Sequence, residues 1–303
     1  MKTKAAAIRP ASRATLRFAA FRGTLKRAGW HIWLLVCLFF SFFPLLWMIS
    51  TAFKQPEQLF SQFLNPIPSP FSLENFVHVW TAVPMWRYML NSFFVAAVVT
   101  AFQLFTSVLA AYAFTQFSFP GRQVLFYLVV ASILVPIQVI MLPNYILLSR
   151  LGLVDTYIGL ILPQLANGMG IFLLRQAFRS VPKSLLEAAR VDGAGDWQRL
   201  WLILFPAIRP TVAALGVMFF INTWNEYLWP LLMIKKDEML TVPLALQLFV
   251  SAEGGTSWGP MMAAAALASL PPLIAFLIVQ RQIIRSFLHT DRESVVEGKS
   301  VDL

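Results

Sequence analysis

Residues 181–210 read VPKSLLEAARVDGAGDWQRLWLILFPAIRP, and this stretch decides how the rest of the chain is understood. It carries Lys183, Glu187, Arg190, Asp192, Asp196, Arg199 and Arg209, between long charge-free runs on both sides. Its first half predicts a short amphipathic helix: Pro182 suits a first turn, Ser184 can cap locally, and Gly193 can take the left-handed turn that ends it. Leu185, Leu186, Ala188, Ala189 and Val191 supply apolar surface. A second helical piece is expected from Asp196 to about Leu204, with Pro206 and Pro210 breaking it before the next apolar run. The first helix needs a home for its apolar face: the membrane surface, the rest of the chain, or a groove on a partner. Its acidic residues argue mildly against the membrane surface, where a basic polar face is usual.

Composition sets the surroundings of this stretch. The 303 residues are 58% hydrophobic and 13% charged, with a mean hydropathy of +0.68. Soluble domains average about 45–50% apolar and about 25% charged, so this is an integral membrane protein. Cys37 is the one cysteine, so no disulfide framework exists.

Residues 1–29 hold eight basic residues and no acid, which suits a cytoplasmic tail or an Arg-rich organellar transit peptide. Residues 32–53 are uncharged, and about 20 apolar residues cross a bilayer core. Residues 54–87 are polar and proline-rich and predict an external loop with a short helix around 73–80. Further spans are expected at 88–117, 123–149, 156–174, 210–234 (interrupted by Glu226) and 260–280, giving six. Pro136, Pro143 and Pro163 fall inside or near spans, where neighbouring groups can satisfy freed carbonyls. With a cytoplasmic N-terminus, 19 of the 24 Lys and Arg residues fall inside. Only Lys54, Arg87, Arg150, Lys235 and Lys236 fall outside. The pI of about 10.1 therefore reflects topology, not nucleic-acid binding. Both termini and the Glu187 loop lie in the cytoplasm by this count.

Within that frame the spacing Glu187-Ala188-Ala189, then Gly193, then Ile203 and Pro206 resembles the EAA loop of ABC-importer permeases, with Phe205 where the family usually has Leu. The fuller phrase from Glu187 to Ala194 is similar to the carbohydrate-uptake branch, the maltose- and glycerol-3-phosphate-type permeases. The resemblance covers about residues 30–286 and implies an all-α, six-span, type I importer permease fold in a bacterial cytoplasmic (inner) membrane. It divides the chain into a basic tail at 1–29, a permease domain at 30–290 with its coupling loop at 181–206, and a polar tail at 291–303. That last segment lacks the Gly-rich ending of many sugar permeases, so the resemblance does not extend to a tail contact with an ATPase.

The resemblance also implies roles. Lys183, Leu186, Glu187, Ala188, Ala189, Arg190, Asp192 and Gly193 would couple to a separate ATPase. Alternating access would follow from its closure on ATP. Partners would be a second, similar permease, two ATPase subunits, an extracytoplasmic solute-binding protein and membrane lipid. The solute would be a sugar or sugar derivative such as an oligosaccharide, glycoside or glycerol-3-phosphate; a non-carbohydrate solute is the alternative.

Two other stretches are candidates. Asn222, Asn225 and Glu226 at i, i+3, i+4 would share one helical face toward a translocation pathway. Alternatively the helix ends there, with Trp224, Tyr227 and Trp229 in an interfacial aromatic belt. Glu253, Gly254, Gly255 and Thr256 form a turn that is either a solvated connector or, by the resemblance, a contact for the binding protein. The chain has no HExxH, CxxC, GxSxG or GxxxxGK[ST] pattern, and His31, His78 and His289 are scattered. No cofactor is therefore expected in this chain; ATP and Mg would belong to the partner ATPase. A membrane-embedded enzyme lacks a catalytic cluster here, and an assembly factor would not need a coupling helix.

Overall fold

The charge-free runs fold as helices, in a computed structural model that describes residues 13–61, 65–251 and 255–298. In order the helices are α1 (Arg13–Ala52), α2 (Pro56–Ser61), α3 (Glu74–Ala82), α4 (Met85–Gln116), α5 (Arg122–Ile133), α6 (Ile137–Arg150) and α7 (Tyr157–Ile161). There follow α8 (Gly168–Ser180), α9 (Lys183–Val191), α10 (Asp196–Gln198), α11 (Phe205–Trp224), α12 (Leu228–Met233), α13 (Val242–Ala245) and α14 (Trp258–Gly298). A two-residue antiparallel pairing, Val250–Ser251 with Gly255–Thr256, is the one extended element among the described residues.

Four segments are long and apolar enough to cross a bilayer: Gly29–Ala52, Met85–Gln116, Asp196–Trp224 and Trp258–Arg281. Two bent pairs, α5 with α6 at 97° and α7 to Gln164 with α8 at 45°, bring the number to six when each counts as one span. Pro136 lies at the first break and takes an extended ψ of 133°, as a residue that cannot continue a helix ladder should. The loop between α1 and α4 holds α3 where its pattern puts a short helix, and α2 in addition.

The fifth span departs from expectation. Instead of breaking at Pro206 and Pro210, the chain runs helically from Asp196 to Trp224 through a π-helical stretch at Arg199–Leu204. There the Phe205 N–H donates five residues back, to the Leu200 carbonyl. The wider turn leads directly into Pro206, in the first turn of α11, where a missing N–H costs least. The span then stops ten residues before position 234, at Trp224.

In lipid there is little hydrophobic drive between helices, so close packing of small residues holds a bundle. On α14, Ala263, Ala264 and Ala268 are buried against Trp224, Ala96 and Met85. Gly170 of α8 lies so near α4 and α11 that a Cβ would stand 2.6 Å from Ser107 Oγ and 2.7 Å from Phe219 Cζ. Polar groups act as ties: Asn91 of α4 donates to the Glu238 and Leu240 carbonyls, both at 3.0 Å, and accepts from Tyr157 Oη at 2.7 Å. Lys54, just beyond the first span, is 2% exposed, with its ammonium 5.0 Å from the Trp47 ring centre; burial pushes its pKa down.

Trp224 shows how prolines inside a span are tolerated. Pro272 has no N–H to give to the Ala268 carbonyl four residues earlier. The buried Trp224 indole N–H donates to that carbonyl instead, at 3.1 Å. Trp229 is likewise buried and donates to the Leu160 carbonyl at 3.2 Å. Both tryptophans are thus internal ties, not members of an interfacial belt, because each indole N–H finds a carbonyl in the bundle. Trp224→Phe leaves the Ala268 carbonyl orphaned, at about 1–3 kcal/mol. Thermal unfolding of the detergent-solubilised complex should fall accordingly, and an unchanged midpoint would contradict the tie.

Candidate functional site

The amphipathic helix α9 forms from Lys183 to Val191, with Pro182 as its N-cap residue and no side-chain cap from Ser184 or any other group. It ends as its glycine requires. Gly193 has φ +81°, its N–H donates to the Arg190 carbonyl at 3.2 Å, and the Ala194 N–H reaches the Ala189 carbonyl at 2.9 Å. Nothing lies within 4 Å of where a Gly193 Cβ would stand, so backbone conformation, not space, favours glycine there.

The apolar face of α9 divides. Leu186 and Ala189, three residues apart, turn inward: Leu186 packs against the cluster of Val108, Tyr112, Phe178 and Leu200, and Ala189 is buried. Leu185, Ala188 and Val191 point away from the chain; Val191 is 87% exposed, and Trp197 just beyond is 63% exposed. Lys183, Glu187, Arg190, Asp192 and Gly193 are exposed as well. One face therefore anchors the helix and the other is left for something else to cover.

The anchor continues past Gly193. Tyr112 Oη of α4 donates to the Asp196 carbonyl at 2.9 Å and meets its carboxylate at 3.3 Å, while Arg199 pairs with that same carboxylate. These contacts fix the loop against the end of α4 just before the π-turn. Asp196 and Arg199 are an i, i+3 pair, a spacing visible in sequence, but Tyr112 lies 84 residues away and carries no local signal. Tyr112→Phe removes about 0.5–1.5 kcal/mol. Transport by the assembled complex should drop a few-fold with expression unchanged; wild-type transport would show that the tether plays no part.

At the other end of the bundle the three candidate pathway residues do not share a helical face. Asn222 lies in the last turn of α11, Asn225 is its C-cap and Glu226 is beyond it. The helix stops because the chain turns into α12, whose Trp229 N–H donates to Glu226 Oε1 at 3.2 Å. Asn222 and Asn225 remain exposed, and Glu226 is half-buried. Nearby, Asp155 takes a left-handed φ of 57°. Its carboxylate accepts from the Lys235 N–H and, at 3.0 Å, from the Lys236 N–H, tying the 151–156 turn to the segment after α12. No motif pointed to Asp155.

The hairpin at 250–256 places Gly255 and Thr256 opposite Ser251 and Val250. Glu253 and Gly254 lie outside the described residues. No cluster of three or more His, Cys, Asp or Glu side chains arranged to hold a metal exists among the described residues.

A helical bundle with four to six candidate spans and a short amphipathic helix presented beyond one end is the architecture of a polytopic membrane protein. The chain belongs to the family described as binding-protein-dependent transport system inner membrane component, which matches residues 103–289. It is 35% identical over 269 residues to the sn-glycerol-3-phosphate transport system permease protein UgpE of Yersinia pestis, covering 86% of this chain and 96% of that protein. The UgpE of Escherichia coli O1:K1 / APEC is 33% identical over the same lengths. In fold it is similar to a chain of a bacterial ABC transporter involved in the import of the acidic polysaccharide alginate, with a TM-score of 0.73 at 21% identity over 90% of this chain and 99% of that one. A second alginate transporter structure, in complex with an alginate pentasaccharide-bound periplasmic protein, matches at a TM-score of 0.59 and 18% identity, covering 86% and 93%. The chain is accordingly a transport subunit of an ABC importer, located in the inner membrane, and not an enzyme.

Proposed function

We propose that this subunit forms half of a translocation path for a sugar or sugar-derived solute, and that α9 couples it to a separate ATPase. The observation that carries the coupling role is the divided face of α9, with Leu186 and Ala189 packed inward and Leu185, Ala188 and Val191 left uncovered. A groove on a soluble partner suits such a face better than headgroups, because Glu187 and Asp192 stand beside the apolar residues. Lys183, Arg190 and Gly193 complete the set, Gly193 by fixing the exit angle. ATP and Mg would be bound by two such ATPase subunits and not by this chain.

One chain supplies six spans, and a central path needs a second, similar permease. Asn222, Asn225 and Glu226 are proposed to face that path where α11 gives way to α12. Glu253, Gly254, Gly255 and Thr256 are proposed to meet an extracytoplasmic solute-binding protein. The excess of Lys and Arg on the α9 side supports a cytoplasmic position for both termini and α9. Similarity to the sn-glycerol-3-phosphate permeases supports a small phosphorylated polyol or a related saccharide as solute.

Co-purification from the native membrane tests this reading. An ATPase, a second permease and a soluble binding protein should come down together, and the ligand eluted from the binding protein names the solute. Recovery of this chain without an ATPase would remove the coupling role. An amino acid or inorganic ion in the binding protein would remove the sugar assignment alone.

A further inference from the structure

Beside α9 lies a cleft of about 670 Å³, bounded by the end of α4, the start of α5, the end of α8 and one flank of α9. Arg122, Arg175, Arg179, Lys183, Arg190 and Arg199 all line it, and Glu187 is the sole acid that does. Among the described residues only Arg199 of the six is in an ion pair. Arg175 shares the cleft with the like-charged Arg179 and Arg122. Its guanidinium is held over the Phe126 ring, 3.8 Å from the centre, and its Nε is buried with no hydrogen-bond partner, as is the Nε of Arg199. Arg122 is oriented by donating to the Phe117 carbonyl at 2.8 Å. Positive charge scattered on a cytoplasmic surface would be solvated and spread apart; here it is gathered in one concave space, with three of its members fixed by neighbours.

The geometry points to a binding site for a phosphate-bearing anion in this cleft, which shares Lys183, Glu187 and Arg190 with the proposed coupling set but lies away from the uncovered Leu185, Ala188 and Val191. Guanidinium forks match phosphate oxygens two at a time, and a bound phosphate would relieve the repulsion among Arg122, Arg175 and Arg179. Two sources share this chemistry: the headgroup of an anionic phospholipid and free phosphate from solution. The apolar flanks provided by Phe114, Phe178 and Leu186 suit a headgroup resting against acyl-chain carbon. Because the cleft adjoins Glu187, occupancy would set the position of α9. The site itself does not depend on what covers the outer face of α9, so its failure and that of the coupling role are separable.

The test uses the purified complex in nanodiscs, with lipid retention measured by native mass spectrometry after exchange into phosphatidylcholine mixed with phosphatidylglycerol. The wild type should retain phosphatidylglycerol selectively. The Arg122→Gln/Arg179→Gln pair should lose about tenfold of that preference, and the Arg122→Lys/Arg179→Lys pair should keep most of it. If the Gln pair does not assemble, Arg179→Gln alone, exposed at the end of α8, gives the same comparison. In phosphatidylcholine alone, inorganic phosphate is titrated by equilibrium dialysis. Binding there that the Gln substitution abolishes assigns the site to free phosphate. No preference for phosphatidylglycerol and no phosphate binding in the wild type, or binding indifferent to the Gln substitutions, overturns the proposal.

Discussion

Gly193→Pro should insert and assemble normally yet lose solute transport. The position has φ +81° and its N–H donates to the Arg190 carbonyl. Proline fixes φ near −65° and has no N–H, so the turn that closes α9 cannot form as it stands. Violations of this kind cost on the order of 1–3 kcal/mol, and each 1.4 kcal/mol is about tenfold in a population. The docked orientation of α9 should therefore fall by roughly ten- to a hundredfold. Gly193→Ala, which meets no neighbour within 4 Å, should suffer only the left-handed strain of about 1–2 kcal/mol and keep partial transport. Glu187→Arg should uncouple by a different route, by removing the one acid lining a cleft with six cations and presenting the wrong charge to the partner. The measurement is uptake into proteoliposomes beside ATPase activity stimulated by the binding protein. Normal stimulated uptake by Gly193→Pro would show that the angle of α9 does not matter.

Gly159→Val should fail earlier, at assembly. A Cβ at this position in α7 would stand 2.2 Å from the Leu153 carbonyl oxygen and 2.5 Å from Met233 Cε. The methionine can swing aside, but the carbonyl belongs to the backbone of a tight turn, where it also accepts from Thr156 Oγ1 at 2.7 Å. Thr156 Oγ1 in turn accepts from the Gly159 N–H at 3.1 Å, so the turn and the helix start are tied together. Overpacking costs about 1–3 kcal/mol where side chains can adjust, and more where backbone must move. Yield of folded complex, by size-exclusion fluorescence, should collapse, and adding Met233→Ala should not restore it. Rescue by Met233→Ala would place the obstruction at the side chain instead.

The parts of the fold legible in the sequence are those set by local rules. Apolar runs mark the spans other than the fifth, and Gly193 after a short periodic segment marks both the end of α9 and its left-handed residue. What escaped depends on partners far along the chain. Pro206 reads as a break because local sequence does not announce the π-turn that accommodates it. Asn222, Asn225 and Glu226 fit one face of a helix that in fact ends at Trp224, since the Glu226 carboxylate is occupied with the start of α12. Trp224 and Trp229 look like interfacial anchors until the carbonyls of Ala268 and Leu160 are placed beside them. The Tyr112–Asp196 tether joins residues 84 apart, and the cleft cations come from α5, α8, α9 and the π-turn, so neither is a motif.

The uncovered face of α9 is proposed to dock onto an ATPase. Val191 offers the most direct test, being 87% exposed on that face. A photo-reactive phenylalanine analogue in place of Val191 should cross-link, within the native complex, to the ATPase subunit. On the coupling proposed for α9, the yield should change when ATP is bound. Adducts formed only with lipid, or none with the ATPase in any nucleotide state, would contradict the account.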